Sequence, residues 1–191
     1  MSSAPKGVRR AHDAYYTPDD LARACTGVLG AELIVRNYIL EPHCGGGAFV
    51  RAAQDRWGKG VLAMDIDPAC AGRNDADVFR SGDFLTLQLG EPSRPGLVIG
   101  NPPFRGAEAH VRHALACSTQ HVAFLLRLAF AESFSRAPFW AEHPARKVWV
   151  MAKRPSFTGG ATDSCAYGWF WWDKQHEGPT EMVCGWDWST A

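Results

Sequence analysis

The sequence has no apolar run near the roughly 18–20 residues that a membrane span requires, and the charged first ten residues are not followed by the apolar stretch of a secretion signal. Its six cysteines, Cys25, Cys44, Cys70, Cys117, Cys165 and Cys184, include no pair at CxxC spacing, which excludes zinc-ribbon and thioredoxin readings. A chain this long needs no disulfides to fold, so reduced thiols and a cytoplasmic location are expected. Net charge is also lacking: 20 Lys+Arg stand against 20 Asp+Glu. That balance excludes a histone-like polycation and leaves only a local basic patch for any nucleic-acid contact. Neither repeats nor low-complexity segments occur, so solenoids, collagen and coiled coils drop out.

What remains is an ordinary globular composition, 46% hydrophobic and 21% charged over 191 residues. At about 150 residues per domain this is one domain, expected over 15–191 behind a mobile polar arm at 1–14 that carries Arg9 and Arg10. Periodicity predicts a helix capped by Thr17 with Pro18 in its first turn. Short apolar strands follow over 38–41, 61–64, 77–80 and 97–100, with a helix over 48–57 after the first of them. A helix over 107–117 and strands over 121–126 and 147–151 come next. Two late runs, 168–172 and 181–185, are expected to pair with each other. Strands alternating with helices predict an α/β fold with a mostly parallel sheet. Ligand-binding residues belong at the carboxyl ends of such strands.

The chemistry-bearing residues fall there. Glu41-Pro42-His43-Cys44-Gly45-Gly46-Gly47 ends the first strand, and its glycines let a ligand approach the backbone. Met64-Asp65-Ile66-Asp67-Pro68 puts an acid at the second strand tip, about 20 residues on, where a carboxylate can accept from both hydroxyls of a ribose. Asp65 or Asp67 can serve, and Asp65 is nearer the tip. Gly82-Asp83-Phe84 offers an acceptor and a ring face after the third strand. Asn101-Pro102-Pro103-Phe104 ends the fourth. There the Asn side-chain oxygen and the Pro102 carbonyl can accept two hydrogens from one amino group, and Phe104 gives a stacking face. Two such acceptors favour pyramidalisation of a planar amino nitrogen and aim its lone pair at an electrophile.

This series, with Tyr15-Tyr16-Thr17-Pro18 ahead of it, resembles S-adenosylmethionine-dependent N6-adenine DNA methyltransferases of the NPPF type, in which the methionine-contacting motif comes first. The resemblance covers residues 15–105. It implies a Rossmann-like class I methyltransferase domain with a seven-stranded, mostly parallel sheet and antiparallel C-terminal strands. It further implies S-adenosyl-L-methionine as cofactor. Tyr16, Thr17 and Pro18 would flank its methionine end, and Glu41, Pro42, Cys44, Gly45 and Gly47 its cradle. Asp65 would hold the ribose, with Ile66 on the adenine, Asp83 on its amino group and Phe84 beside it. Asn101 would touch cofactor and target alike, and Pro102, Pro103 and Phe104 would complete the catalytic motif. Many relatives have Glu where this chain has the shorter Asp65. Similar tetrapeptides serve RNA and protein-glutamine methyltransferases, so those acceptors stand as alternatives to DNA, as does an idle cofactor-binding module.

Beyond residue 105 the pattern is less regular. Lys153-Arg154-Pro155-Ser156-Phe157 lies between two expected strands. A basic and aromatic mixture suits nucleic acid, with Lys153 and Arg154 on phosphates; the resemblance further implies an aromatic from this loop on the other face of a flipped base, and Phe157 is the candidate. The same stretch resembles small stand-alone bacteriophage methyltransferases. No metal is expected: His110 and His113 lack a third ligand and read as a solvated helix face. The late tryptophans read as strand packing rather than a stacking platform. Little chain remains for a separate target-recognition domain, so specificity is expected to be relaxed, built from short loops such as 153–164, or borrowed from a second copy of the chain or a partner.

Overall fold

The computed structural model describes residues 16–30, 33–157 and 163–190; the expected arm at 1–14 and part of the 153–164 loop lie outside them. The elements are α1 (Asp19–Val28), β1 (Ile39–Glu41), α2 (Ala48–Trp57), β2 (Val61–Asp65), β3 (Val78–Ser81), β4 (Leu97–Gly100), α3 (Ala107–Cys117), β5 (His121–Arg127), α4 (Ala137–Glu142), β6 (Lys147–Met151), β7 (Tyr167–Asp173) and β8 (Glu181–Trp186). The strands form one sheet in the order β3-β2-β1-β4-β5-β7-β6-β8.

The sheet therefore has eight strands, one more than the seven expected. Only β7 is reversed: it runs antiparallel to both β5 and β6. The expected pairing of the two late runs does not occur. Both edges of β7 are already taken, so β8 passes under β6 and pairs with it in parallel at the sheet edge.

Alternation along the central strands divides the core into two faces. Ile39, Leu97, Ile99 and Trp169 point to the side covered by α1 and α2, where Phe49 stacks on Trp169 at 5.4 Å. Leu40, Val98, Phe124, Phe170 and Trp172 point to the side covered by α3 and α4. Trp169 and Trp172 of β7 are thus core residues, since the strand is paired on both edges and covered on both faces, while Trp171 is half-buried. β1 and β4 are buried along their length, while β3 and β8, at the two edges, are largely exposed.

α1 starts one residue later than expected. Pro18 is its cap, extended at ψ 144°, and the Thr17 hydroxyl makes no capping bond because it accepts from the Asn101 amide instead. After Pro68 the chain makes a 3-10 turn over Ala71–Asn74. After β5 come two 3-10 turns, Leu128–Ala131 and Phe134–Arg136.

Candidate active site

The parallel strands β1, β2, β3 and β4 release their chains at one end of the sheet, and the motif residues collect there. The loop from β1 to α2 is held tightly. Gly47 N–H donates to the Cys44 carbonyl at 2.6 Å, Gly72 N–H to the Gly45 carbonyl at 2.8 Å, and Arg51 to the Gly46 carbonyl at 3.1 Å. Arg51 also bridges Asp19 on α1 and Asp75, so one cation ties three segments around the loop. Gly47 is left-handed at φ 81°, a conformation that a side chain adopts only with strain.

Gly72 carries a related constraint that sequence reading did not reveal. A Cβ there would lie 2.7 Å from Gly47 N, 2.8 Å from Gly47 Cα and 2.9 Å from the Cys44 carbonyl oxygen. All three are backbone atoms and cannot yield. Gly72→Ala is expected to push the glycine loop away from the 3-10 turn and cost about 2 kcal/mol or more, in the range of overpacking strain. Thermal denaturation monitored by circular dichroism checks it, and an unchanged midpoint would refute the packing argument.

Asp65 continues the loop's framework. Its Oδ2 accepts from Gly45 N–H at 2.8 Å and its Oδ1 from Asp67 N–H at 2.9 Å. Each oxygen retains a lone pair, so a doubly anchored carboxylate still presents acceptors to a ligand. Asp67, also in the cavity lining, accepts from Ala69 N–H through Oδ1. Asp83 caps the 3-10 turn Phe84–Thr86 by accepting from Leu85 N–H at 2.9 Å. Phe84 beneath it is buried, edge-on to His43 at 5.4 Å and to His113 at 4.7 Å.

These residues wall a cavity of about 390 Å³ that runs from Ile66 and Asp83 past Asp65 and Gly45 to Asn101 and Phe104. Its described lining holds three carboxylates, Asp65, Asp67 and Asp83, and no Lys or Arg. A second, smaller cavity of about 30 Å³ adjoins it between Thr17, Glu41, Cys44 and Asn101. Tyr16 and Asn101 border both. The Tyr16 ring covers the glycine loop, so that a Cβ on Gly45 would stand 3.0 Å from it.

Glu41 is almost wholly buried. Burial is the main cause that pushes its carboxyl from the ordinary 4.5 up to about 8; the His43 N–H bond opposes this and the charge of Asp65 adds to it. The carboxyl fills the space where Gly100, at φ 153°, would carry a Cβ. Glycine at 100 is thus what lets the acid reach the foot of Asn101.

At the tip of β4, Asn101 Nδ2 donates to Thr17 Oγ at 3.2 Å. This bond fixes the amide, and its oxygen, Oδ1, is buried with no hydrogen-bond partner among the described residues. A buried acceptor without a partner is costly, and such groups mark places where a ligand completes the bonding. Phe104 borders the cavity, with the Arg127 guanidinium 4.3 Å from its ring centre and Tyr167 tilted at 5.6 Å.

Not every expected site residue joins this assembly. Pro18 and Gly47 shape the surrounding backbone but line neither cavity. Lys153 and Arg154 are exposed beyond β6. Phe157, expected opposite Phe104, is buried and meets it at 62° with centroids 6.4 Å apart, packing on Tyr167 at 5.2 Å.

The reading of His110 and His113 as a solvated face is corrected. α3 packs against the Phe84–Thr86 turn, which buries His110. His110 Nδ1 lies 2.9 Å from His43 Nε2, and His113 Nε2 lies 3.0 Å from the Leu87 carbonyl. Burial holds His43 and His110, which both line the cavity, below the ordinary histidine range and so favours their uncharged form. Cys44 and Cys70, 3.5 Å apart, form part of the same wall. Burial pushes both thiols up. Their Sγ atoms and an Asp65 oxygen lie within 4.8 Å of one another, a grouping that sequence spacing did not suggest.

Comparison with solved structures decides the fold. The chain is similar to the methyltransferase subunit of a type I restriction-modification system from Streptococcus thermophilus, with TM-score 0.71 and 15% identity over 90% of this chain and 47% of that one. The chain has the class I methyltransferase fold. A Listeria monocytogenes structure described as a putative class I S-adenosylmethionine-dependent methyltransferase gives TM-score 0.71 and 11% identity, covering 94% of this chain and 68% of that one. A putative RNA methyltransferase from Pyrococcus horikoshii gives 0.66 and 17%, covering 90% and 91%. The chain therefore spans about half the length of the restriction-modification subunit and nearly all of the Pyrococcus protein. No family model and no curated protein matches the sequence. No helix among the described residues is long and apolar enough to cross a membrane.

Proposed function

We propose that this chain is a methyltransferase that uses S-adenosyl-L-methionine to methylate the N6 amino group of adenine in DNA. The observation that carries the reading is the buried, unpartnered Asn101 Oδ1, held by Thr17 at the junction of the two cavities. A pure binding module has no need of that acceptor.

The cofactor assignment rests on charge. A cavity walled by three carboxylates and no described cation repels the pyrophosphate of a dinucleotide and attracts a ligand that carries a sulfonium and an ammonium. Asp65 would hold the ribose and Asp83 the adenine amino group, with Ile66 and Phe84 against the ring. Thr17, Glu41 and Gly45 would surround the methionine end, beside Tyr16, Pro42 and Cys44. When bound, that cofactor supplies an electrophilic methyl group.

The protein's part is positioning and electrostatics. Asn101 Oδ1 and the Pro102 carbonyl accept the two hydrogens of the target amino group, Phe104 stacks on its ring, and Pro103 stiffens the backbone between them. The amino proton becomes acidic only after alkylation, so no strong base is required. Lys153 and Arg154 would meet phosphates, and Phe157 would support Phe104. DNA is favoured by the likeness to the restriction-modification subunit; the Pyrococcus likeness makes RNA the second acceptor to test. Sequence specificity would come from a partner or a second copy of the chain.

The test is transfer of tritiated methyl to DNA, RNA and protein side by side, with nucleoside mass spectrometry of the product. N6-methyladenine in DNA is expected. Label found only in RNA or protein would overturn the DNA assignment, and failure to transfer to any polymer would overturn the enzyme assignment.

A further inference from the structure

Cys44, Asp65 and Cys70 form the one grouping of three His, Cys, Asp or Glu side chains among the described residues whose ligand atoms all lie within 4.8 Å of one another. They come from three places. Cys44 belongs to the glycine loop, Asp65 ends β2, and Cys70 precedes the 3-10 turn Ala71–Asn74. Cys44 and Cys70 are only 5% and 3% exposed, and methyl transfer gives neither thiol a chemical task.

The backbone holds the three together. Cys44 N–H donates to the Met64 carbonyl, next to Asp65, at 2.8 Å, and Cys70 N–H to the Asp67 carbonyl at 3.2 Å. Gly72 N–H donates to the Gly45 carbonyl and so ties the segment after Cys70 to the loop after Cys44. Asp65 is oriented by Gly45 N–H on one oxygen and Asp67 N–H on the other. Carboxylates that ligate metals are commonly fixed by such outer hydrogen bonds.

The sulfur spacing decides between two chemistries. The Sγ atoms are 3.5 Å apart. Two thiolates on one tetrahedral zinc-like ion, each at about 2.3 Å, stand about 3.8 Å apart, so the pair has to open by only about 0.3 Å. A disulfide at about 2.05 Å instead requires the sulfurs to close by about 1.5 Å between backbones already tied to their neighbours. Asp65 and Cys70 line the larger cavity and Cys44 the smaller. An ion therefore has an entry path and space for water as a fourth ligand. Two thiolates with one carboxylate select a soft or borderline cation over magnesium, calcium or manganese.

We infer that Cys44, Cys70 and Asp65 are a binding site for a thiophilic divalent cation of the zinc class, and that this ion and the cofactor exclude one another. The two thiols give up their protons to solvent as the ion enters. Each Asp65 oxygen has one acceptor position left beside its backbone N–H. The ion takes one of these, and a ribose loses its two-point grip. The exclusion rests on the S-adenosyl-L-methionine reading above; the ion site stands on its own geometry.

The test titrates the chain with cobalt(II), whose tetrahedral thiolate complexes absorb in the visible and near ultraviolet, and then adds zinc chloride. A tetrahedral band at one ion per chain is expected, displaced by zinc and not by magnesium. Cys70→Ser loses it, and Cys184→Ser, which removes an exposed thiol, keeps it. If Cys70→Ser does not fold, the sulfur-to-cobalt charge-transfer intensity of the wild type still counts the thiolates, and two are expected. Calorimetry of S-adenosyl-L-methionine binding, with zinc at ten times its own Kd, should show cofactor affinity about tenfold weaker in the wild type and less than about twofold weaker in Cys70→Ser. Linkage requires the cofactor to weaken zinc by the same factor. No tetrahedral band, a band that survives in Cys70→Ser, or oxidation of the pair in place of metal uptake would overturn the site. Undiminished binding of both together would overturn the exclusion. A chain that takes the ion but binds no cofactor, with or without zinc, would overturn the cofactor reading and the exclusion with it, and leave the ion site standing.

Discussion

Asn101→Ala is expected to abolish methyl transfer, by about a hundredfold or more in kcat, with cofactor affinity nearly unchanged. The wild-type amide is committed on one side, where Nδ2 donates to Thr17 at 3.2 Å, so its oxygen has one direction in which to face. That oxygen has no partner within the described structure and acts only when a target amino group arrives. Removing one preorganised hydrogen-bonding group of this kind typically costs about 10²–10³ in rate. Thr17→Val separates positioning from chemistry: it keeps the acceptor but frees the amide to rotate, and a smaller loss, about tenfold, is expected. Single-turnover methylation together with calorimetric cofactor binding checks both. Full activity in Asn101→Ala would remove the residue from the mechanism. A parallel loss of cofactor binding would show instead that it acts on the cradle.

The second large effect is electrostatic. Glu41 titrates at about 8 in the folded chain against an ordinary 4.5. Because the folded value is the higher, the folded state binds more protons between those limits, and stability falls as pH rises through the window. Below about 4.5 the buried acid is neutral in both states and carries no charge penalty. Above about 8 the penalty is complete, with a ceiling of about 5 kcal/mol for a shift of this size. Glu41→Gln retains an acceptor for His43 N–H and cannot ionise. Wild type and variant are expected to melt together near pH 4.5 and to diverge as pH rises, with the variant the more stable at pH 8. Melting midpoints across that range decide the matter, and parallel curves would overturn it. The same geometry predicts proton release on cofactor binding. An ammonium placed beside Glu41 favours the carboxylate, so binding near pH 7 should expel close to one proton, seen as a binding enthalpy that varies with buffer ionisation enthalpy. Glu41→Gln should bind more weakly and release none.

Particular residues show how far the sequence could be read. The four strand ends that wall the two cavities were legible because their signals are local. A short apolar run followed by glycine, proline or an acid announces a strand and its exit in a few residues. In a parallel α/β sheet all such exits lie on one side, so Glu41, Asp65, Asp83 and Asn101 belonged together before any coordinates were known. The Thr17–Asn101 bond was not legible. It spans 84 residues, and the same threonine also made a good helix cap; the longer-range partner prevailed. His110 had no helical pattern to mark it as buried, because what buries it is the Phe84–Thr86 turn, a segment with no regular period. Phe157 carried the right residue type for a stacking face, but the packing of Tyr167 turned it edge-on to Phe104.

The balance of charge that first seemed only to exclude a polycation turns out to be sorted in space. Carboxylates line the cavity, and Arg105, Lys153 and Arg154, in the chain after β4 and β6, are exposed and line none of it. Composition cannot show this, because a sum over the chain is blind to position. By itself the sequence determined the fold class, the places of the first four strands along the chain and the residue types at their tips, all consequences of hydrophobic period and backbone geometry within short windows. Tertiary structure alone decided that β7 lies between β5 and β6, that an eighth strand closes the edge, that Glu41 is sealed enough to hold its proton, and that Phe134 is left exposed. Each of these depends on which distant segments compete for one edge, one cavity or one ring face, and that competition is settled only when the whole chain packs.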